Sequence, residues 1–168
     1  IQADTDMPSF AYSAMDGYAV RSRHFEGNGP WSLAVRGESR AGRASGPLQH
    51  EVACRIFTGA RIPIGADPVV LQEAVTRPGD QVSFSERPRS GQNIRPQGAD
   101  LKAGQTALHE GDRLSPGKLG LAAALDRAWL LVARQPVVTL VGTGDELRPP
   151  GTPGPAESIA ESNTFVLA

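Results

Sequence analysis

Cysteine is almost missing from this chain. Cys54 is the only one, so no intrachain disulfide can staple the fold, and a reducing, cytoplasmic setting is expected. Aromatic residues make up 5% of the sequence, which leaves only a thin core. The three histidines, His24, His50 and His109, lie too far apart in sequence for metal-ligand spacing. No apolar run reaches the roughly 18 residues that a membrane span needs. Nor is there an excess of either charge: 17 Lys and Arg face 18 Asp and Glu. Without a net field the chain is not expected to bind nucleic acid or an anionic membrane surface.

What is abundant is turn-forming residues. The 19 glycines and 14 prolines amount to about a fifth of the chain, above the share usual in a compact domain. Such a composition favours short strands joined by tight turns, and 168 residues suffice for one or two small domains. The first residue is Ile1, and the last five, Thr164 to Ala168, read as a young helix. The chain is therefore expected to be an excised piece of a longer protein.

From Phe10 to about Asn93 the pattern is strand and turn. Trp31–Val35 alternates weakly, as a half-buried strand does. Val52–Phe57 and Val69–Glu73 are β-branched runs bounded by turn residues, and Val82–Ser85 is another short strand, opened by the turn Pro78-Gly79-Asp80. Gly37 to Pro47 reads as a loop. Thr58 to Pro68 is too broken by Gly and Pro for a helix or a central strand. Ser115 with Pro116 signals a helix start, and Leu119, Leu121, Ala122 and Leu125 are available to one face, with Asp126-Arg127 as the end. Trp129–Val132 and Val137–Val141 read as strands. The second is continuously apolar, as a strand buried in a parallel sheet is. Ser162-Asn163 would cap a following helix.

Several groups of residues have the makings of a site. Ser13-Ala14-Met15-Asp16-Gly17-Tyr18-Ala19-Val20-Arg21 reads first as a turn, with Gly17 free to take positive φ and a carboxylate held at its tip. Thr58-Gly59-Ala60 closes a strand, where a hydroxyl and free N–H groups can hold an oxyanion or simply end a turn. Arg87, Arg89 and Arg95 flank a Gly turn and suit an anion, or form a solvated basic loop. Asp100 follows Gly98-Ala99. Thr143-Gly144-Asp145-Glu146 lies where open α/β sheets bind ligands, and paired carboxylates there can hold Mg²⁺ or cap a loop. Glu73, at a strand end, fits a solvent-facing edge.

Taken in order, these segments resemble the molybdopterin molybdenumtransferases, the family of the bacterial MoeA proteins and the gephyrin E domain. The residues that carry the resemblance are the 13–21 motif, Thr58-Gly59-Ala60 with Pro63, Gly65, Ala66 and Asp67, then Val69-Val70 with Glu73. Gly91-Gln92-Asn93-Ile94-Arg95 with Gly98 and Asp100, Thr143 to Leu147, and Ser162-Asn163 complete them. The match spans nearly the whole chain except Ser22 to about His50.

The resemblance implies a mainly β fold with some α. An elongated β-rich region with coiled sheets or a small barrel is followed by the first strand, loop and helix of an α/β molybdopterin-binding domain. Residues 12–93 would form the small β domain, residues 1–11 with 94–135 the elongated connecting domain, and 136–168 the truncated start of the α/β domain. It also implies a reaction: Mg²⁺-dependent insertion of molybdate into adenylylated molybdopterin with release of AMP. By motif position Asp16, Asp100 and Glu146 would hold the metal or position water. Thr58 would hydrogen-bond the substrate, and Arg95 and Thr143 would help to bind it. The resemblance further implies a homodimer in which Asp16 and Glu146 meet between subunits.

Two positions depart from the family pattern. Ala99 stands where family members usually carry Glu, and Gly142 where they carry Ser. The family's Gly/Ser-rich phosphate loop, its lysine-bearing segment and its last domain would follow Ala168, so this chain alone is expected to be inactive. The competing reading is a non-catalytic scaffold or dimerisation module related to gephyrin.

Overall fold

A computed structural model describes residues 1–168. The chain forms two compact units, Ile1–Ala128 and Trp129–Ala168.

The first unit is built from short strands. In chain order they are β1 (Tyr12–Ser13), β2 (Gly17–Ala19), β3 (Trp31–Ser39), β4 (Val52–Ile56), β5 (Val69–Leu71), β6 (Val75–Thr76), β7 (Gln81–Phe84) and β8 (Ile94–Arg95). Helix α1 (Pro116–Ala124) follows. Six strands make one sheet in the order β5-β2-β4-β3-β7-β6. All its neighbours are antiparallel except β3 and β4, which run parallel. The two edge strands, β5 and β6, are separated in sequence only by a 3-10 turn at Gln72–Ala74. That short link holds the two edges together, so the sheet is nearly closed and barrel-like, which removes exposed edges. The chain is thus mainly β with few helices.

Period-two alternation divides the core. Tyr18, Val20, Ala53, Val70, Val82 and Phe84 pack with Phe25 on one side of the sheet. Ala19, Cys54, Ile56 and Val69 pack with Leu48 and Ala60 on the other. Phe25 meets Phe84 and Trp31 edge-on, with ring centroids 5.0 and 5.5 Å apart. Phe25 and Phe84 are fully buried, and each contributes about 2 to 3 kcal/mol through the apolar area it removes from water.

The N-terminal residues lie antiparallel along the segment from Gly98 to Leu108. The amides of Ala3 and Met7 donate to the carbonyls of Gln105 (2.9 Å) and Leu101 (2.7 Å), and Ala107 donates to Ile1 (2.9 Å). Arg127, just past α1, reaches back to Asp4 at 2.7 Å.

Several expectations change. Gly17 opens a strand rather than supplying a positive-φ turn. Strand β3 continues through Gly37 to Ser39 by a register shift between Val35 and Glu38, because a bulge lets the ladder resume beyond a glycine. Gln72 and Glu73 leave the strand for the 3-10 turn. Helix α1 starts as expected, the Ser115 hydroxyl accepting from the Lys118 amide. It buries only Ala122, whereas Leu119 is exposed.

The second unit holds β9 (Leu147–Arg148), β10 (Ile159–Ala160) and α2 (Asn163–Leu167), with β9 and β10 parallel. The strands expected at 129–132 and 137–141 do not form. These residues have no regular secondary structure and no strand partner, and Leu131, Val137 and Val138 are exposed. A parallel strand needs neighbours on both edges and cover on both faces, and two-residue β9 and β10 supply neither. Ser162 sits at the N-cap of α2 without a side-chain bond. The Glu161 carboxylate takes the Thr164 amide instead, at 2.9 Å.

Candidate functional site

The bend between β1 and β2 carries Asp16, and buried Ser13 shapes it. The Ser13 hydroxyl donates to the Met15 carbonyl at 2.5 Å. Its own backbone grips the turn that follows β4: Ser13 donates to Ala60 and its carbonyl accepts from Gly59, both at 2.9 Å. Gly59 has φ +78°, a conformation that glycine adopts without steric cost. This turn swings Thr58 under the bend.

Asp16 and Thr58 therefore meet. Asp16 Oδ1 accepts the Thr58 amide at 2.7 Å and the Thr58 hydroxyl at 2.9 Å. These two bonds hold the Asp16 carboxyl below the ordinary Asp range. Burial opposes them slightly, and the positive charge of Arg55 reinforces them. Asp16 is a permanent anion at neutral pH, and Oδ2 takes no hydrogen bond from the protein.

Gly17 sets the bend against the sheet. A Cβ there would lie 1.9 Å from the Val70 carbonyl oxygen, so only glycine admits the close approach of β2 to β5. The signal for this was in the sequence, but the reason is contact rather than turn geometry. Arg55, on β4, is the residue that the sequence reading missed. It donates to the Gly17 carbonyl at 3.0 Å and to the Gln72 side chain. Nothing in its flanking residues marks it out, since only the ladder brings it opposite Tyr18.

Arg95 and Asp100 form a second pair. Strand β8 pairs with β1, with Tyr12 opposite Arg95, and Arg95 makes an ion pair with Asp100. The Asp100 amide donates to the Met7 carbonyl at 2.9 Å. Both side chains are nearly half exposed, so the pair adds at most about 1 kcal/mol of stability and its groups stay within reach of a ligand. Arg87 and Arg89 are exposed. Strand β1 is the shared support, leading into the Asp16 bend at one end and bearing the Arg95 strand alongside.

In the second unit Thr143, Asp145 and Glu146 are exposed. Asp145 and Glu146 form a turn before β9 rather than following a strand. The Glu146 carboxylate lies over Gly144, where a Cβ would come within 2.6 Å of its oxygens. The Glu146 carbonyl accepts the Ile159 amide at 2.8 Å.

Nowhere in the chain do three His, Cys, Asp or Glu side chains converge as a metal cage. Mg²⁺ does not require one: it is commonly held by one or two carboxylates, water and substrate phosphates. The free Oδ2 of Asp16, on a carboxylate kept ionised, fits that role.

The first unit is thus a nearly closed β sheet with an Asp–Thr pair at its rim, and the second holds a short parallel β pair. The family model for the MoeA N-terminal region (domain I and II) matches residues 1–125. Molybdopterin molybdenumtransferase 2 of Mycobacterium tuberculosis (strain CDC 1551 / Oshkosh) is 42% identical over 172 residues, covering 100% of this chain and 42% of that protein. Molybdopterin molybdenumtransferase of Haemophilus influenzae is 42% identical over 167 residues, covering 96% and 40%. Gephyrin of Dictyostelium discoideum is 35% identical over 157 residues, covering 83% and 21%. The crystal structure of the molybdopterin biosynthesis MoeA protein from Pyrococcus horikoshii OT3 superposes with a TM-score of 0.87 at 34% identity, covering 99% of this chain and 46% of that one. The chain belongs to the MoeA family of molybdopterin molybdenumtransferases. It spans less than half the length of the relatives named here.

Proposed function

We propose that this chain supplies part of the active site of an enzyme of molybdenum cofactor biosynthesis, acting in the cytoplasm as a homodimer. The reaction is insertion of molybdate into adenylylated molybdopterin with release of AMP. The observation that carries this reading is the Asp16–Thr58 pair, an exposed carboxylate fixed in direction and charge by a hydroxyl and an amide.

Asp16 orients water or a cation with its free oxygen. Thr58, exposed at the turn, offers its hydroxyl to the substrate. The Arg95 guanidinium, on the surface beside Asp100, draws the anionic substrate and holds a phosphate or molybdate oxygen. Asp100, Glu146 and Thr143 complete the set, the two carboxylates for metal or water and the Thr143 hydroxyl for substrate. Mg²⁺, when bound, would polarise a phosphoryl oxygen. Residues 1–11 with 94–135 act as the connecting domain, 12–93 as the β domain, and 136–168 as the opening of the molybdopterin-binding domain.

The test uses the parent protein with adenylylated molybdopterin, molybdate and Mg²⁺, reading AMP release. Asp16→Asn should lower turnover by on the order of 100-fold, the scale of a lost acid–base or positioning group. Wild-type turnover in that variant would sink the reading. The 168-residue chain alone should release no AMP. A scaffold would instead keep its self-association in every variant and never turn over.

A further inference from the structure

We propose that Arg55 is a positioning residue for the Asp16–Thr58 site, holding the backbone carbonyls that follow the Asp16 carboxylate and packing over the ring that precedes Thr58. The proposal rests on the reading that Asp16 is functional.

Arg55 stands on β4 directly opposite Tyr18 on β2. Its guanidinium lies over two rings, 5.2 Å from the Tyr18 centroid and 4.7 Å from that of Phe57. Stacking of this kind restricts a planar cation without using its N–H groups. Those groups are spent on two acceptors. Nη1 donates to the Gly17 carbonyl at 3.0 Å, and Nη2 donates to Gln72 Oε1. Gln72 closes the ring, because its own amide donates to the Asp16 carbonyl at 3.2 Å. The carbonyls of the consecutive Asp16–Gly17 and Gly17–Tyr18 peptides are thus held by groups tied to one guanidinium. Phe57, under the same guanidinium, precedes Thr58. One side chain therefore braces both halves of the site.

The chemistry requires Arg. A lysine could supply the charge, but it has no planar fork to reach Gly17 and Gln72 together while stacked on a ring. A surface arginine that merely covered the barrel would show none of these three constraints at once.

The experiment records backbone amide spectra of the 168-residue chain, with the β7 amides as the check on folding. Arg55→Gln should shift the amides of Asp16, Gly17, Gln72 and Thr58. Arg55→Lys should leave the Gly17 and Gln72 amides displaced, because a single ammonium cannot span both acceptors. Unmoved Asp16, Gly17 and Gln72 amides in folded Arg55→Gln overturn the proposal. Should that variant fail to fold, Gln72→Ala removes one acceptor and keeps the charge. It should then move the Asp16 and Gly17 amides while those of β7 stay in place, and unmoved Asp16 and Gly17 amides overturn the proposal equally. In the parent enzyme Arg55→Gln should lower kcat about 10- to 100-fold, the usual cost of losing a residue that orients a site group, with KM little changed. Moved Asp16 and Gly17 amides with unchanged kcat would uphold the clamp and remove Asp16 from the reaction.

Discussion

Asp16 Oδ1 accepts two hydrogen bonds from Thr58, a residue 42 positions further along the chain. One comes from the amide and one from the hydroxyl, so they can be separated by mutation. Thr58→Val removes the hydroxyl and keeps the amide at nearly the same volume. Because both bonds lower the Asp16 pKa, the variant should titrate at higher pH than the wild type. The sign for stability follows from linkage. A carboxyl with a folded pKa below its unfolded one contributes stability in full above the unfolded value, about 3.9. That contribution is lost as pH falls through the folded value. Thermal melts should therefore show wild type above Thr58→Val at neutral pH, and the gap should close in strong acid. A gap that stays constant down to acid-induced unfolding would mean that the hydroxyl does not act through the Asp16 charge.

Much of the first unit was legible because its strands are local runs between turn residues. Val52–Ile56 forms where β-branched residues cluster and Gln81–Phe84 directly after the Pro78-Gly79-Asp80 turn, and α1 starts at its Ser-Pro signal. Two-residue β1 and three-residue β2 were not legible as strands. Their backbone is extended by partners distant in sequence, β8 for one and β4 with β5 for the other. The Asp16 motif was visible as residue types, yet its pairing with Thr58 depends on a ladder that no window of sequence contains. Arg55 was invisible for the same reason. The apolar run Val137–Val141 misled in the opposite direction, since a strand pattern yields no strand without neighbours to pair with.

Gly17→Ala should be severely destabilising. Its Cβ would sit 1.9 Å from the Val70 carbonyl oxygen and 2.8 Å from the Val70 carbonyl carbon. Those are backbone atoms within the β2–β5 pairing, so no side-chain rotation relieves the clash. A cost of about 3 kcal/mol or more is expected, at or above the upper end for overpacking a core. Chemical denaturation of the variant measures it. A loss under about 1 kcal/mol would show that β5 can part from β2 cheaply.

Residues 129 to 146 should exchange their amide hydrogens far faster than β2 and β4. None of those amides donates a backbone hydrogen bond, and Trp129 and Leu131 are almost wholly exposed. Protection follows hydrogen bonding and burial, so deuterium uptake in this segment should be complete at the earliest times. Protection equal to that of β4 would mean that a partner strand covers it in solution.

His24 should make stability fall in mildly acidic solution. Both of its ring nitrogens are buried without a hydrogen-bond partner, and the ring packs against His50 with centroids 4.8 Å apart. Burial lowers its pKa first. The neighbouring charges of His50, Arg21 and Arg23 lower it further, and Glu51 only partly offsets them. The folded chain thus keeps His24 neutral at a pH where the unfolded chain has protonated it. For such a depressed pKa, the stabilisation is complete above the unfolded value of about 6.5 and is lost as pH falls through the folded value. His24→Phe keeps an aromatic ring in place and removes both unpaired nitrogens and the proton. It should match or exceed the wild type in Tm at pH 7, because the buried nitrogens gain nothing there. Its advantage should widen between about pH 7 and pH 5, across the range where the unfolded histidine takes up its proton. Parallel melting curves at four pH values across that range test this directly, and a difference in Tm independent of pH would show that His24 takes up its proton equally in both states.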